Sequence, residues 1–201
     1  IGASISRQMG LAGMYKEMAS RRSDLLYVLT RGRYGTRPEK LNVQFPSSGE
    51  AIMRSDWGRG SNYSNQTQLI FDVGDYRTNH SDLDALSFNL FGRGTTLMPD
   101  AGLYSYDAEP YRTYFHGTRA HNTIVVDGKD QEVGNIYEGK KVEMGSFQEG
   151  DGFVYQSGRH NLYSGVSHQR SMILIEDSTV LIFDSLKSST DHRYEQMFHL
   201  F

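Results

Sequence analysis

After Leu41 the chain is a succession of ten short β-type runs: EAIMRSDW, TQLIFDVG, ALSFNLF, TTLMP, NTIVVDG, KVEMGSF, GFVYQSG, SMILIE, TVLIFDSL and YEQMFHLF. Gly-, Asp- and Asn-rich turns such as Asp127-Gly128, Asp151-Gly152 and Glu176-Asp177-Ser178 separate them. Strands this short with such regular punctuation are joined by turns rather than by crossover helices, so the expected fold is mainly β, an antiparallel sandwich or barrel and not a βαβ array. The pattern changes upstream. Ile5, Met9 and Ala12 fall on one helical face, and Ser23-Asp24 reads as the N-cap of a second short helix through LLYVL. RGRYGTRPEK, residues 31 to 40, has no periodicity and reads as the link between a helical part, 1 to 35, and a β domain, 41 to 201.

The 201 residues, 37% of them hydrophobic, suffice for a sizeable core. A net charge of −3 with no long basic run argues against a nucleic-acid partner. No apolar segment approaches the ~20 residues that span a bilayer. Cysteine is absent, which excludes disulfide and thiolate sites. The chain opens at Ile1 and stops in what reads as a strand, so it is expected to be a fragment of something longer. Its 13 Tyr and 10 Phe suit a surface that stacks on sugar rings, and equally suit strands, which favour aromatics anyway.

Chemistry is concentrated in NHSDLDALSFNL, where His80, Asp82 and Asp84 alternate just before an apolar run. In an extended backbone these positions share one face and converge on a metal, a proton-transfer site or a salt bridge. Asp100 in LMPDAG and His121 in TRAHNTIVVDG also sit where strands begin or end. Alone, Asp100 reads as a turn residue capping N–H groups, and His121 as a partly buried histidine with a backbone partner. Together the set suits Zn²⁺ or a similar ion, and it equally matches the 2-His-1-carboxylate triad of iron oxygenases through His80, Asp82 and His121. Arg54 and Arg119 offer planar forks for a substrate carboxylate, or strand-end salt bridges. His160, His168, His192 and His199 show no ligand spacing and are taken as structural. The stretch from Gly102 to Arg119 holds Tyr104, Tyr106, Tyr111, Tyr114 and His116 and reads as a long polar-aromatic loop of the kind that carries function.

Read in order, FPSSGEAIMRSDW, NHSDLDALSFNLFGRGTTLMPDAGLYSY and YFHGTRAHNTIVVDGKDQ resemble the β-sandwich domain of the heparinase II/III-like polysaccharide lyases, closely over 45 to 131 and loosely to the end. The resemblance implies cleavage of a uronic-acid glycan by β-elimination, in a secreted or periplasmic enzyme that often pairs as a homodimer. It implies a catalytic His at His80, with Tyr111 or Tyr114 near the sugar. The family's metal positions fall on Asp82, Asp100 and His121, with Asp82 standing where a His is usual. That gives two carboxylates and one imidazole, a harder set suited to Zn²⁺, Mn²⁺ or Ca²⁺, or to no metal, with Asp82 instead paired to a protonated His121. The helices of residues 1 to 35 then correspond to the last piece of an α/α-toroid, whose remainder supplies further catalytic groups. A non-catalytic acidic-glycan-binding sandwich is the alternative, and an iron-dependent oxygenase a more distant one.

Overall fold

The computed structural model describes residues 17, 20–75, 81–106, 110–133, 141–176 and 179–201. His80 and the first helical run, Ile5 to Ala12, therefore lie outside the described residues. The second helix, α1 (Ser23–Leu29), begins one residue earlier than a Ser23 cap requires: Arg22 is the N-cap, and the Ser23 hydroxyl bonds Thr36 Oγ1 instead. Residues 31 to 40 form no regular element but are firmly docked. Tyr27 donates to the Gly58 carbonyl at 2.5 Å, Gly60 N–H to Arg31 O and Arg59 Nε to Gly32 O.

All ten β-type runs become strands, and one strand that carries no apolar signal, β1 (Val43–Phe45), precedes them. With β2 (Glu50–Arg54), β3 (Gln68–Asp72), β4 (Phe88–Gly92) and β5 (Thr95–Met98) it forms a five-stranded antiparallel meander in chain order. After β6 (Ile124–Val126), strands β7 (Val142–Gly150), β8 (Phe153–Tyr163), β9 (Val166–Ile175) and β10 (Thr179–Ser188) form a second meander. β11 (Tyr194–Gln196) returns to pair with β6. Alternation along the strands sends Met53, Leu69, Phe71 and Phe88 from one sheet against Val154, Leu162, Met172 and Leu174 from the other, so the fold is an antiparallel β-sandwich. The stretch from Gly102 to Arg119 is not wholly loop. Pro110 opens a helix, α2 (Pro110–His116), at the position where its missing N–H costs nothing.

The sandwich buries a polar chain as well as an apolar core. On β9, His168 and Arg170 have no access to solvent. Their direct cross-strand partners are His160 on β8 and Asp184 on β10 respectively. Asp184 accepts from His168 Nε2 at 2.7 Å, Arg170 Nε at 2.8 Å, Arg170 Nη2 at 3.0 Å and Gln196 Nε2 at 2.9 Å. A carboxylate held by four donors stays ionised, and its pKa settles at about 2: burial pushes it up, and the bonds from His168 and Arg170 overcome that. The donors also fix the tautomers. His168 must carry its proton on Nε2, so its Nδ1 accepts from His160 Nε2 at 3.1 Å, and His160 Nδ1 accepts the Leu162 N–H at 3.2 Å. That N–H is available because strand pairing skips from His160–His168 to Tyr163–Val166.

Neither imidazole has room for a second proton. Burial, and with it the charge of nearby Arg170, drives the His160 pKa well below 6.5. Burial likewise lowers His168 despite its bond to Asp184. Below pH 6.5 the unfolded chain takes up protons that the native chain refuses, so this part of the stability is full above 6.5 and lost on acidification. Asp184 adds a second loss as pH falls from 3.8 toward about 2. Denaturant unfolding followed by circular dichroism should therefore show stability falling as the pH is lowered below about 6.5, by about 1.4 kcal/mol per pH unit for each histidine that stays neutral in the fold. A flat profile below that pH would mean that the histidines do not remain neutral in the fold.

Candidate functional site

Between β3 and β4 the chain crosses one end of the sandwich in a turn, residues 81 to 87, that is not extended as strict alternation of His80, Asp82 and Asp84 requires. Irregular backbone at such depth must find partners for its N–H and C=O groups, and here distant side chains supply them. Gln131 Oε1 accepts the Ala85 N–H, Gln131 Nε2 and Thr123 Oγ1 donate to Ala85 O, and Thr118 Oγ1 donates to Leu83 O. Leu83 N–H donates to the His116 carbonyl, which ties the turn to α2. Asp84 accepts from the Ser87 hydroxyl at 2.7 Å and from its N–H through the Asp84 carbonyl.

Asp100 follows β5, with its N–H on Asn89 Oδ1 and its Oδ1 accepting from Gly102 N. Its Oδ2 lies 2.7 Å from Nδ1 of His121, a side chain with no solvent access. On the far side of the ring, Nε2 lies 3.0 Å from the Phe115 carbonyl in α2. A carbonyl only accepts, so Nε2 carries a proton, and the short contact on the other nitrogen needs a second one. Burial alone lowers the His121 pKa, but the bond to Asp100 and the charges of Asp84, Asp100 and Asp82 outweigh it and the net shift is upward. For Asp100 burial pushes the pKa up, and the bond to His121 brings it below the usual carboxylate value. The ground state is thus an imidazolium–carboxylate pair. The salt bridge anticipated for a metal-free site exists, with Asp100 and not Asp82 as the partner.

Asp84, Asp100 and His121 each place a ligand atom within 4.8 Å of the other two. The group has the composition expected from sequence, two carboxylates and one imidazole, but Asp84 replaces Asp82. The turn directs Asp82 toward Arg112 of α2, 3.7 Å from its Nη1, and the two facing atoms are buried without a hydrogen-bond partner. Burial, reinforced by Asp84 and Asp100 against the charge of His121, raises the Asp82 pKa. This donor set suits a divalent cation. A metal would take the place of the His121 Nδ1 proton, while Nε2–H stays on a backbone carbonyl, the usual arrangement behind a metal-bound imidazole. Among the described residues this group holds one imidazole; His80, the other histidine of the expected 2-His-1-carboxylate triad, lies outside them.

The other expected residues are dispersed. Tyr111 and Tyr114 project outward from α2, at 61% and 47% exposure, and belong to an aromatic face with Tyr104 and Phe115. Tyr104 stacks on Phe115 at 5.6 Å and meets Tyr111 at 5.4 Å, while Tyr114 meets Phe115 edge-on at 5.3 Å. Phe115 thus carries the aromatic face on its ring and His121 on its carbonyl. Arg119 is engaged by Glu195 at 2.9 Å, the strand-end salt bridge. Arg54 lies at the opposite end of β2 from Glu50, whose partner Asp72 adjoins the site turn, and its guanidinium covers Trp57 at 4.3 Å. Neither arginine joins the Asp84 group.

Comparison with known proteins agrees with this architecture. Residues 37–201 match the family described as Heparinase II/III-like, C-terminal. The chain belongs to this family. It is 26% identical over 179 residues to a heparin-sulfate lyase of Bacteroides stercoris, covering 87% of this chain and 25% of that protein. A heparin-sulfate lyase of Pedobacter heparinus is 24% identical over 162 residues, covering 79% and 23%. The chain thus spans about a quarter of the length of these relatives. Among solved structures, a heparinase III superposes with a TM-score of 0.77 at 22% identity, over 90% of this chain and 28% of that one. Heparan sulfate lyase HepC from Pedobacter heparinus gives 0.74 at 22% identity, over 89% and 27%.

Because a cation must displace the His121 proton, its affinity should rise by about ten-fold per pH unit up to the raised His121 pKa and then level off. Calorimetric titration with Zn²⁺ or Mn²⁺ should show this, with binding lost in Asp84→Ala and Asp100→Ala and retained in Asp82→Ala. Unchanged affinity in Asp84→Ala would remove Asp84 from the ligand set.

Proposed function

We propose that this chain is the sandwich domain of a polysaccharide lyase that cleaves an acidic, uronic-acid-containing glycan by β-elimination, in an exported enzyme of the periplasm or exterior. The match over residues 37–201 to a family whose relatives here are named heparin-sulfate lyases carries this reading. The geometry of α2 supports it: one short helix holds an exposed tyrosine face, the carbonyl that fixes His121 and the arginine that meets Asp82.

The reaction needs three things: neutralisation of the C5 carboxylate so that the adjacent C–H becomes acidic, a base for that proton, and an acid for the leaving oxygen on C4. His80, four residues before Asp84, is the base or acid in this reading. Tyr111 and Tyr114 present hydroxyls and ring faces to a sugar from the same end of the sandwich. A cation held by Asp84, Asp100 and His121 would supply a fixed charge that ties the site turn, the end of β5 and the start of β6 together. Without it the His121 imidazolium does the same work. The groups that grip the uronate carboxylate are proposed to lie on a helical toroid, of which residues 1 to 35 are the end.

In the longer protein that carries this domain, incubation with heparan sulfate or alginate oligosaccharides should generate the ultraviolet absorbance of an unsaturated uronate. His80→Ala should lower kcat by about 10²-fold or more, and Tyr111→Phe or Tyr114→Phe should identify the hydroxyl donor by the larger loss. Saturable glycan binding without any absorbance change would favour a binding module in place of a lyase.

A further inference from the structure

Leu86 is the one residue of the site turn whose backbone is strained. It sits at φ 61° with its side chain fully buried, a conformation that L residues other than Asn and Asp rarely adopt and that costs on the order of 1 kcal/mol. Two features of the opposite sheet hold it there. Gly158 on β8 leaves space for the Leu86 side chain, since a Cβ at that position would come within 2.6 Å of Leu86 Cδ2. Arg170 on β9 donates from Nη1 to the Leu86 carbonyl at 2.8 Å.

The same Nη1 donates at 2.6 Å to the carbonyl of Asn122, the residue after His121. Asn122 in turn donates from Nδ2 to Phe88 O and to Pro99 O, the residue before Asp100, and accepts His199 N–H on Oδ1. One nitrogen therefore reaches the backbone behind two members of the Asp84–Asp100–His121 group, and through Asn122 the third. Its position is not free to drift. The other edge of the guanidinium is clamped on Asp184, which His168 and Gln196 hold in turn, and its plane lies 5.6 Å from the Phe88 ring.

We infer that Arg170 is a positioning residue for the site: it crosses the sandwich to hold the strained turn at Leu86, and so sets where Asp84 meets Asp100 and His121. The inference rests on the reading of Asp84 as a site residue, but not on whether a cation binds there. Nothing at Arg170 touches the site directly, since the guanidinium lies behind the backbone. Lysine is the informative replacement. It keeps a positive charge against Asp184, but its ammonium has three donors on one atom and no planar fork, so it cannot serve both carboxylate oxygens and both carbonyls.

Backbone NMR of this chain, with Arg170→Lys and Arg170→Met, separates positioning from simple core packing. In a folded Arg170→Lys variant we expect Leu86 to leave the left-handed region, read from its Cα and Cβ shifts and its HN–Hα coupling. Amide exchange across 84 to 87 should accelerate by about ten-fold or more, the scale of one lost hydrogen bond, while the central amides of β2 and β3 keep their protection. Shifts at 121 to 123 should move with those of the turn. Should the signals of 84 to 87 and 121 to 123 stay in place while only β9 and β10 respond, the inference is overturned. Uniform loss of protection, or failure of both variants to fold, would make Arg170 a core residue alone and would overturn it equally. Loss of lyase activity in the longer protein is a separate outcome: a full-length enzyme that is inactive as wild type refutes the proposed function and leaves this result standing.

Discussion

A guanidinium with no access to water needs an answer for its N–H groups inside the protein, and for its charge as well. Arg170 receives both from a single carboxylate and two carbonyls, and much of the architecture follows from that demand. Asp184 has to be opposite it on β10, His168 has to be neutral beside it, and the turn before β4 has to bring the Leu86 carbonyl into the core. Removing one partner of such a buried pair leaves an uncompensated charge, at a cost of about 3–5 kcal/mol, while the intact pair contributes little net stability. Its value is specification: the pair admits one register between β9 and β10 and one path for the site turn.

The strand pattern was largely legible in sequence because the physics there is local. Alternation between apolar and polar residues, with Gly and Asp at the turns, placed every strand from β2 to β11. β1 was invisible because Val43–Phe45 is an edge strand of three half-buried or exposed residues, too short to alternate. α2 was hidden for the converse reason: all of its side chains are at least partly exposed, so no apolar stripe marks it, and Pro110 at its start was the available signal. Asp100 and His121 were found by their positions at strand ends, and their pairing is a product of the fold.

Asp82 and Asp84 show where local reasoning gives out. Period-two alternation treats them as equivalent, but the chain bends at Leu83 between them, so that Asp82 meets Arg112 of α2 and Asp84 lies near His121. The turn that follows at Leu86 is held by Gly158 and Arg170, more than seventy positions downstream. The His160–His168–Asp184–Arg170 chain has no ligand spacing to mark it in the sequence. A two-residue step from His168 to Arg170 within an alternating run, followed by an Asp at the mirrored position of the next run, is the signal that register arithmetic could have used.

Apart from the two bonds between Ser87 and Asp84, the turn that carries Asp82 and Asp84 makes its hydrogen bonds mostly to distant residues. Its partners are Gln131, Thr118, Thr123 and Arg170, separated from it by about 35 to 84 residues. Each such contact closes a long loop, and the one from Arg170 needs the second sheet in place against the first. The native site therefore depends on contacts far apart in the chain. Native geometry at Asp84 is in effect a report that the sandwich has closed correctly, and a partly assembled chain would expose its acidic turn before it could organise it.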